Sequence, residues 1–220
     1  MRNPKVIVVL GRAGSGKGTQ AKLLYDKFGL SYFGAGDALR KRQKVNDFTA
    51  KKLIKVMGRG ELAPSFVISK LWIDEFEKLK KITGFKGVVC DGSPRKIVEA
   101  KYFDEALEWY EWSNTTKVIL IDISEKESFK RLTKRRICQK CKKLIPYINE
   151  FKKLKKCDSC QGPLAVRADD KPSAIRQRLD MFKKEVMPVI NYYKERGELI
   201  RINGEQSIED VFKDILKSLK

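Results

Sequence analysis

Residues Lys5–Leu10 read KVIVVL and residues Gly11–Thr19 read GRAGSGKGT, and this junction decides the fold. A short β-branched run without alternation is the pattern of a strand buried on both faces. A helical pattern follows over Thr19–Phe28. A glycine-rich loop between a strand and a helix is the context in which backbone N–H groups converge on phosphate oxygens. Gly14, Gly16 and Gly18 let the backbone curl so that these N–H groups converge. The following helix adds the positive end of its dipole, and Lys17 adds an ammonium where terminal phosphates gather charge. A glycine turn that binds nothing is the bland alternative, and strand, loop, lysine and helix in that order argue against it. One position departs from the general pattern. Gly18 stands where Ser or Thr would hold Mg²⁺, with Thr19 next, so the metal is expected to be held through phosphates, water and Asp91 instead.

Working outward, further buried-strand runs occur at Gly87–Asp91, Lys117–Ile123 and Leu199–Ile202, with a shorter one at Ser31–Phe33. Helical patterns lie at Ala35–Lys44, Pro64–Lys81, Lys96–Trp112, Ser124–Lys134, Lys171–Gly197 and Ser207–Leu219. Alternating strands and helices predict an α/β P-loop protein of three layers with a roughly five-stranded parallel sheet. Pro188 predicts a kink or break near Met187. Two segments interrupt the alternation: a polar helical one over residues 34–64, and one over 134–170 that holds four cysteines. Both read as insertions, which leaves residues 1–33, 65–133 and 171–220 as the core.

A chain of 220 residues with 42% hydrophobic content suits one globular core without disulfide staples. No apolar run is long enough to cross a bilayer. Val6–Leu10 is too short for a signal peptide and runs into the glycine loop with no small-residue cleavage site, which predicts a cytoplasmic protein. Lys and Arg number 48 against 28 Asp and Glu, a formal charge of +20. Nucleotide phosphates need only a handful of these charges. The excess reads as a solvated lysine-rich surface, with weak nucleic-acid binding as the alternative. Histidine is absent, which removes His-based acid–base and metal chemistry.

Cys138 and Cys141 form one C-x-x-C pair, Cys157 and Cys160 another, with fifteen residues between the pairs. This is zinc-ribbon spacing. Four thiolates close a tetrahedral site with no open position, so the metal is structural, zinc first and iron second. The segment is polar and short, and metal is expected to supply its folding energy. Cys90 sits in a strand run and reads as a small core residue.

The sequence Gly16–Gln20, GKGTQ, resembles the phosphate loop of the adenylate kinase family of nucleoside monophosphate kinases. The resemblance continues in order along nearly the whole chain. Gly36–Arg40 (GDALR) resembles the family's monophosphate-site motif, and Asp91–Arg95 (DGSPR) its DGFPR motif. Arg131–Arg136 (RLTKRR) resembles the entry to its lid; Arg167–Pro172 (RADDKP) and Arg178 resemble the exit. Residues 34–64 then become a monophosphate-binding insertion and 134–170 a zinc-bearing lid. The resemblance implies transfer of a phosphoryl group from Mg²⁺-bound ATP to AMP, giving two ADP, by a monomer that needs neither nucleic acid nor membrane.

The attacking phosphate oxygen is already ionised at neutral pH, so no general base is needed. Catalysis reduces to placing two nucleotides and neutralising charge between them. The resemblance implies that Lys17, Arg95, Arg135, Arg167 and Arg178 do this. It assigns ATP to Gly14, Ser15, Gly16, Lys17, Gly18, Thr19, Arg131 and Arg135, and to the main chain near Gln206. It assigns the monophosphate to Ala35, Arg40, Glu61, Leu62, Ala63, Gly92, Ser93, Pro94, Arg95, Glu99, Arg167 and Arg178. Asp91 is expected to anchor Mg²⁺ through water, with a helix cap as the alternative. Asp37 is expected to cap the helix before Arg40.

Three positions depart from the adenylate kinase pattern: Ala35 replaces Thr, Ser93 replaces Phe and Glu99 replaces Gln. A glutamine amide accepts from adenine N6 and donates to N1, whereas a carboxylate only accepts. GMP, CMP and UMP therefore stay open as acceptors. Uridylate–cytidylate kinases resemble the chain at Ala35 but lack the long cysteine-bearing lid. From another class, a zinc-ribbon nucleic-acid-binding P-loop ATPase fits the loop and the cysteines, while Gly36–Arg40 and Asp91–Arg95 argue against it.

Overall fold

The computed structural model describes residues 5–167 and 170–219. Residues 1–4 and 220 of the expected core, and Ala168 and Asp169 of the expected lid, lie outside the described residues. The first half of the chain runs β1 (Val6–Leu10), α1 (Lys17–Phe28), β2 (Ser31–Gly34), α2 (Ala35–Arg42), α3 (Phe48–Gly58), α4 (Ser65–Lys80), β3 (Val88–Asp91) and α5 (Ile97–Trp109). Next come β4 (Thr116–Asp122), α6 (Glu125–Lys134), and three short strands β5 (Arg136–Cys138), β6 (Leu144–Ile145) and β7 (Leu164–Ala165). The chain ends with α7 (Pro172–Met181), α8 (Met187–Glu195), β8 (Leu199–Asn203) and α9 (Ile208–Ser218).

The five strands expected from buried β-branched runs form one parallel sheet in the order β2-β3-β1-β4-β8. All five residues of β1 are buried, as the unalternated run requires. Val6, Val8 and Leu10 face Trp72, Phe76, Phe103 and Tyr193 on α4, α5 and α8. Ile7 and Val9 face Ala21, Leu24, Val211 and Ile215 on α1 and α9. The result is helices on both sides of the sheet, the three-layer arrangement expected.

Pro188 acts as its chemistry dictates. Without an N–H it cannot continue the helical ladder, and α8 starts at Met187 with the proline in its first turn. A π-helical turn, Phe182–Val186, joins α7 to α8, so the long helical pattern over residues 171–197 is three segments.

Outside the main sheet, β6, β5 and β7 pair antiparallel in that order. Ile145 and the buried Cys138 and Cys157 gather Phe151, Leu154 and Leu164 around the cysteines. The cysteines and these apolar side chains form one small cluster.

Candidate functional site

Leu10, Gly34, Asp91 and Asp122 end four neighbouring parallel strands, so the loops after them meet at the carboxyl edge of the sheet. The loop after β1 leads into α1 through Gly16, which is left-handed and gives the helix no side-chain cap. Gly14, Ser15, Gly16, Lys17, Gly18 and Thr19 thus bring an uncapped helix N-terminus to this edge. The loop is anchored from outside. The Ser128 hydroxyl donates to the Ala13 carbonyl at 2.6 Å, and Arg12 donates to Asp122 Oδ1 at 3.1 Å. Ser128 and Arg12 are supports that motif reading did not single out.

Charge converges on Lys17. Burial pulls its ammonium down to about 8; the Asp91 charge opposes this, and Arg95, Arg135 and Arg178 add to it. Three expected site arginines and the Asp91 carboxylate therefore all lie within electrostatic reach of Lys17. Arg40 joins this group through its field on Arg95, whose burial lowers its own pKa. Arg40 is half-exposed and also donates to Asp37 at 2.6 Å. Asp37 does not cap α2: Gly34 is the cap residue and makes no side-chain cap bond. The carboxylate of Asp37 is instead taken up by Arg40.

Asp91 is likewise no helix cap, since α5 starts beyond it with Lys96 at the cap position. Its Oδ2 accepts from Tyr32 Oη at 3.1 Å, and its buried Oδ1 has no hydrogen-bond partner among the described residues. An orphaned carboxylate oxygen beside a phosphate-type loop fits a hydrated divalent cation. The same carboxylate explains Gly18: a Cβ there would lie 3.0 Å from Asp91 Oδ2. Burial and Asp91 also push the Tyr32 phenol up, so Tyr32 stays a donor.

The residues after β3 shape a second pocket. Gly92 has a φ of 71°, and a Cβ there would meet Arg95 Nη2 at 2.8 Å and Lys17 Cε at 3.2 Å. Glycine lets these two cations approach. Arg95 Nε donates to the Gly92 carbonyl at 2.6 Å. Ala35, Leu62, Ala63, Gly92, Arg95 and Glu99 line the pocket together with Leu39 and Ile68. Ser93 is fully buried and Pro94 is buried. Glu61 is not among the lining residues; it forms a 3.9 Å ion pair with Arg59.

On the opposite side, Asp170 holds two of the expected arginines. Arg135 donates through Nε and Nη2 to its two oxygens, each at 2.7 Å, and Arg178 Nη1 donates to Oδ1 at 2.9 Å. The Asp170 side chain is 0% exposed. The Arg167 carbonyl accepts from the Asp170 N–H at 2.9 Å. Arg131 is buried and bonded to Glu127 at 2.9 Å. The Gln206 side chain donates through Nε2 to the Asn203 carbonyl at 3.0 Å and to Asp214 Oδ2 at 2.9 Å.

The sulfurs of Cys138, Cys141, Cys157 and Cys160 all lie within 4.8 Å of one another. The Cys141 N–H donates to Cys138 Sγ, which holds that thiol down at about 6. Four convergent sulfurs with a backbone-stabilised thiolate fit a tetrahedral thiophilic metal.

The sequence profile of the family described as adenylate kinase matches residues 9–198. The chain belongs to the adenylate kinase family. It is 34% identical over 215 residues to an adenylate kinase of Petrotoga mobilis, covering 97% of each chain. Over 213 residues it is 35% identical to one of Thermotoga neapolitana, covering 96% of this chain and 95% of that one. Over 214 residues it is 36% identical to one of Methanocella arvoryzae, covering 97% of each. Family membership makes the chain a phosphotransferase. Among the described residues no helix is long and apolar enough to cross a membrane.

Proposed function

We propose that this protein is an adenylate kinase that transfers the terminal phosphoryl group of Mg²⁺-bound ATP to AMP. The observation that carries this reading is the convergence of Arg95, Arg135 and Arg178 on Lys17 of the glycine loop, with Arg95 also lining the Gly92–Glu99 pocket. A phosphoryl group in flight needs fixed positive charge and exclusion of water, and it needs no base. Lys17 and the loop N–H groups hold the triphosphate with Ser15, Thr19, Arg131 and the main chain near Gln206. Arg40 and Arg95 hold the monophosphate. Arg135, Arg167 and Arg178 neutralise charge between the two. Asp91 would hold Mg²⁺ through water, and the ion would supply positive charge to the phosphates.

Residues 34–64 serve as the monophosphate-binding insertion and 134–170 as a lid whose four cysteines hold zinc. The lid closes over the phosphates and keeps ATP from reacting with water. A cytoplasmic monomer fits this role. The test is a coupled assay with AMP, GMP, CMP and UMP as acceptors for ATP. AMP is expected to give the highest kcat/KM. Turnover of GMP or a pyrimidine nucleotide far above AMP would remove the adenylate assignment.

A further inference from the structure

The pocket beyond Gly92 has two chemically different ends. Arg95 stands at the end nearest Lys17, while Ala35, Leu39, Leu62, Ala63 and Ile68 make apolar walls. Besides Arg95, Glu99 is the single ionisable lining residue. A nucleoside monophosphate has matching ends, a dianion and a flat base with a polar edge, so the base is left to the walls and to Glu99. Glu99 is 2% exposed. Its Oε1 accepts from the Ser65 hydroxyl at 3.2 Å and its Oε2 from the Arg95 N–H at 2.8 Å. Both donors are neutral. The charged groups facing it are Arg95 and Lys96 on its own segment, while α2 and α4 present Ala35, Leu39, Ile68 and Ser65. The Arg95 guanidinium is turned to the Gly92 carbonyl. A buried carboxyl with neutral donors and apolar walls favours its uncharged form.

We propose that Glu99 reads the acceptor base as a neutral carboxylic acid, donating its O–H to adenine N1 and accepting from the N6 amino group through its carbonyl oxygen. This rests on the AMP reading above. The neutral acid offers one donor and one acceptor, the same pair as an amide. Ser65 can donate to or accept from the carboxyl, so it stays satisfied in either state. The ionised form is acceptor-only. It faces the adenine N1 lone pair, and it suits the N1–H and N2 amino donors of guanine. Burial pushes the Glu99 carboxyl up, against the pull of the Arg95 N–H and the Ser65 hydroxyl. Affinity for AMP is therefore full below the titration of Glu99 and falls as pH rises through it, while preference for GMP rises.

The experiment compares KM for AMP in wild-type protein and Glu99→Gln at saturating ATP, from about pH 6 to about pH 9. Titrations of AMP and of other groups are common to both proteins and cancel in the ratio. The ratio of wild-type to variant KM is expected to rise about tenfold or more from the acid to the alkaline end. A ratio flat in pH overturns the inference. A second measurement needs no variant: the wild-type kcat/KM for GMP relative to AMP rises with pH if Glu99 switches, and a constant value overturns the inference. AMP turnover with flat ratios strikes the role of Glu99 alone. Absence of AMP turnover in both proteins at every pH removes the adenylate kinase reading, and the inference with it.

Discussion

A Cβ on Gly18 would stand 3.0 Å from Oδ2 of Asp91. The space that a metal-binding hydroxyl would take in the general phosphate loop is held here by a carboxylate from the neighbouring strand. Gly18→Ser should therefore displace Asp91 rather than restore a ligand. The Mg²⁺ concentration for half-maximal rate is expected to rise several-fold, and kcat to fall by about tenfold or more. Kinetics across a Mg²⁺ titration decide it; an unchanged Mg²⁺ optimum at full rate would contradict the account.

Lys17 gives a pH signature. Its pKa is lowered to about 8, mainly by burial. Phosphates bind the charged form, so ATP affinity is fully present below about pH 8 and is lost as pH rises through that value. The Kd for ATP, followed by calorimetry, should weaken by about tenfold per pH unit above it. Lys17→Arg should flatten the profile, since a guanidinium stays charged. A wild-type Kd that does not move on the alkaline side would count against a buried ammonium as the phosphate ligand.

Asp170 binds Arg135 and Arg178 at once. Removing one partner of a buried ion network leaves charge uncompensated, at a cost of about 3–5 kcal/mol. Asp170→Ala should lower stability on that scale in chemical denaturation. Added ATP supplies oxygens to the two forks, so its thermal stabilisation should be larger in the variant than in wild-type protein. Equal thermal shifts in the two proteins would show that the arginines do not face the nucleotide.

Particular residues show what sequence could and could not carry. The five strands were legible because unalternated runs such as VIVVL have few other uses, and each begins and ends within a residue or two of its expected span. Helix α3 was harder. Asp47 caps it by accepting from the Ala50 N–H at 2.8 Å, but surface lysines blur its short buried stripe of Ala50 and Leu53. Asp37 has the residue type and place of a cap and yet serves Arg40, because Gly34 already starts the helix. The cation cluster was legible from ordered motifs. The role of Asp170 was not, since its partner Arg135 lies 35 residues away and only the folded chain brings them together.

The four-cysteine site makes a separable prediction. Strands β5, β6 and β7 are two or three residues each and pack on Cys138 and Cys157. Purified protein is expected to hold one zinc per chain. Chelation, or Cys157→Ser, should open residues 136–165 to proteolysis while the five-stranded core stays protected. Unchanged protection of that segment after metal removal would show that the cysteines do not hold it together.

The central claim is phosphoryl transfer between two nucleotides, and product stoichiometry tests it most directly. With Mg²⁺, ATP and AMP, phosphorus NMR should show two ADP formed for each ATP consumed, no inorganic phosphate, and no ATP loss when AMP is omitted. Release of inorganic phosphate from ATP without AMP, stimulated by RNA or DNA, would contradict the account.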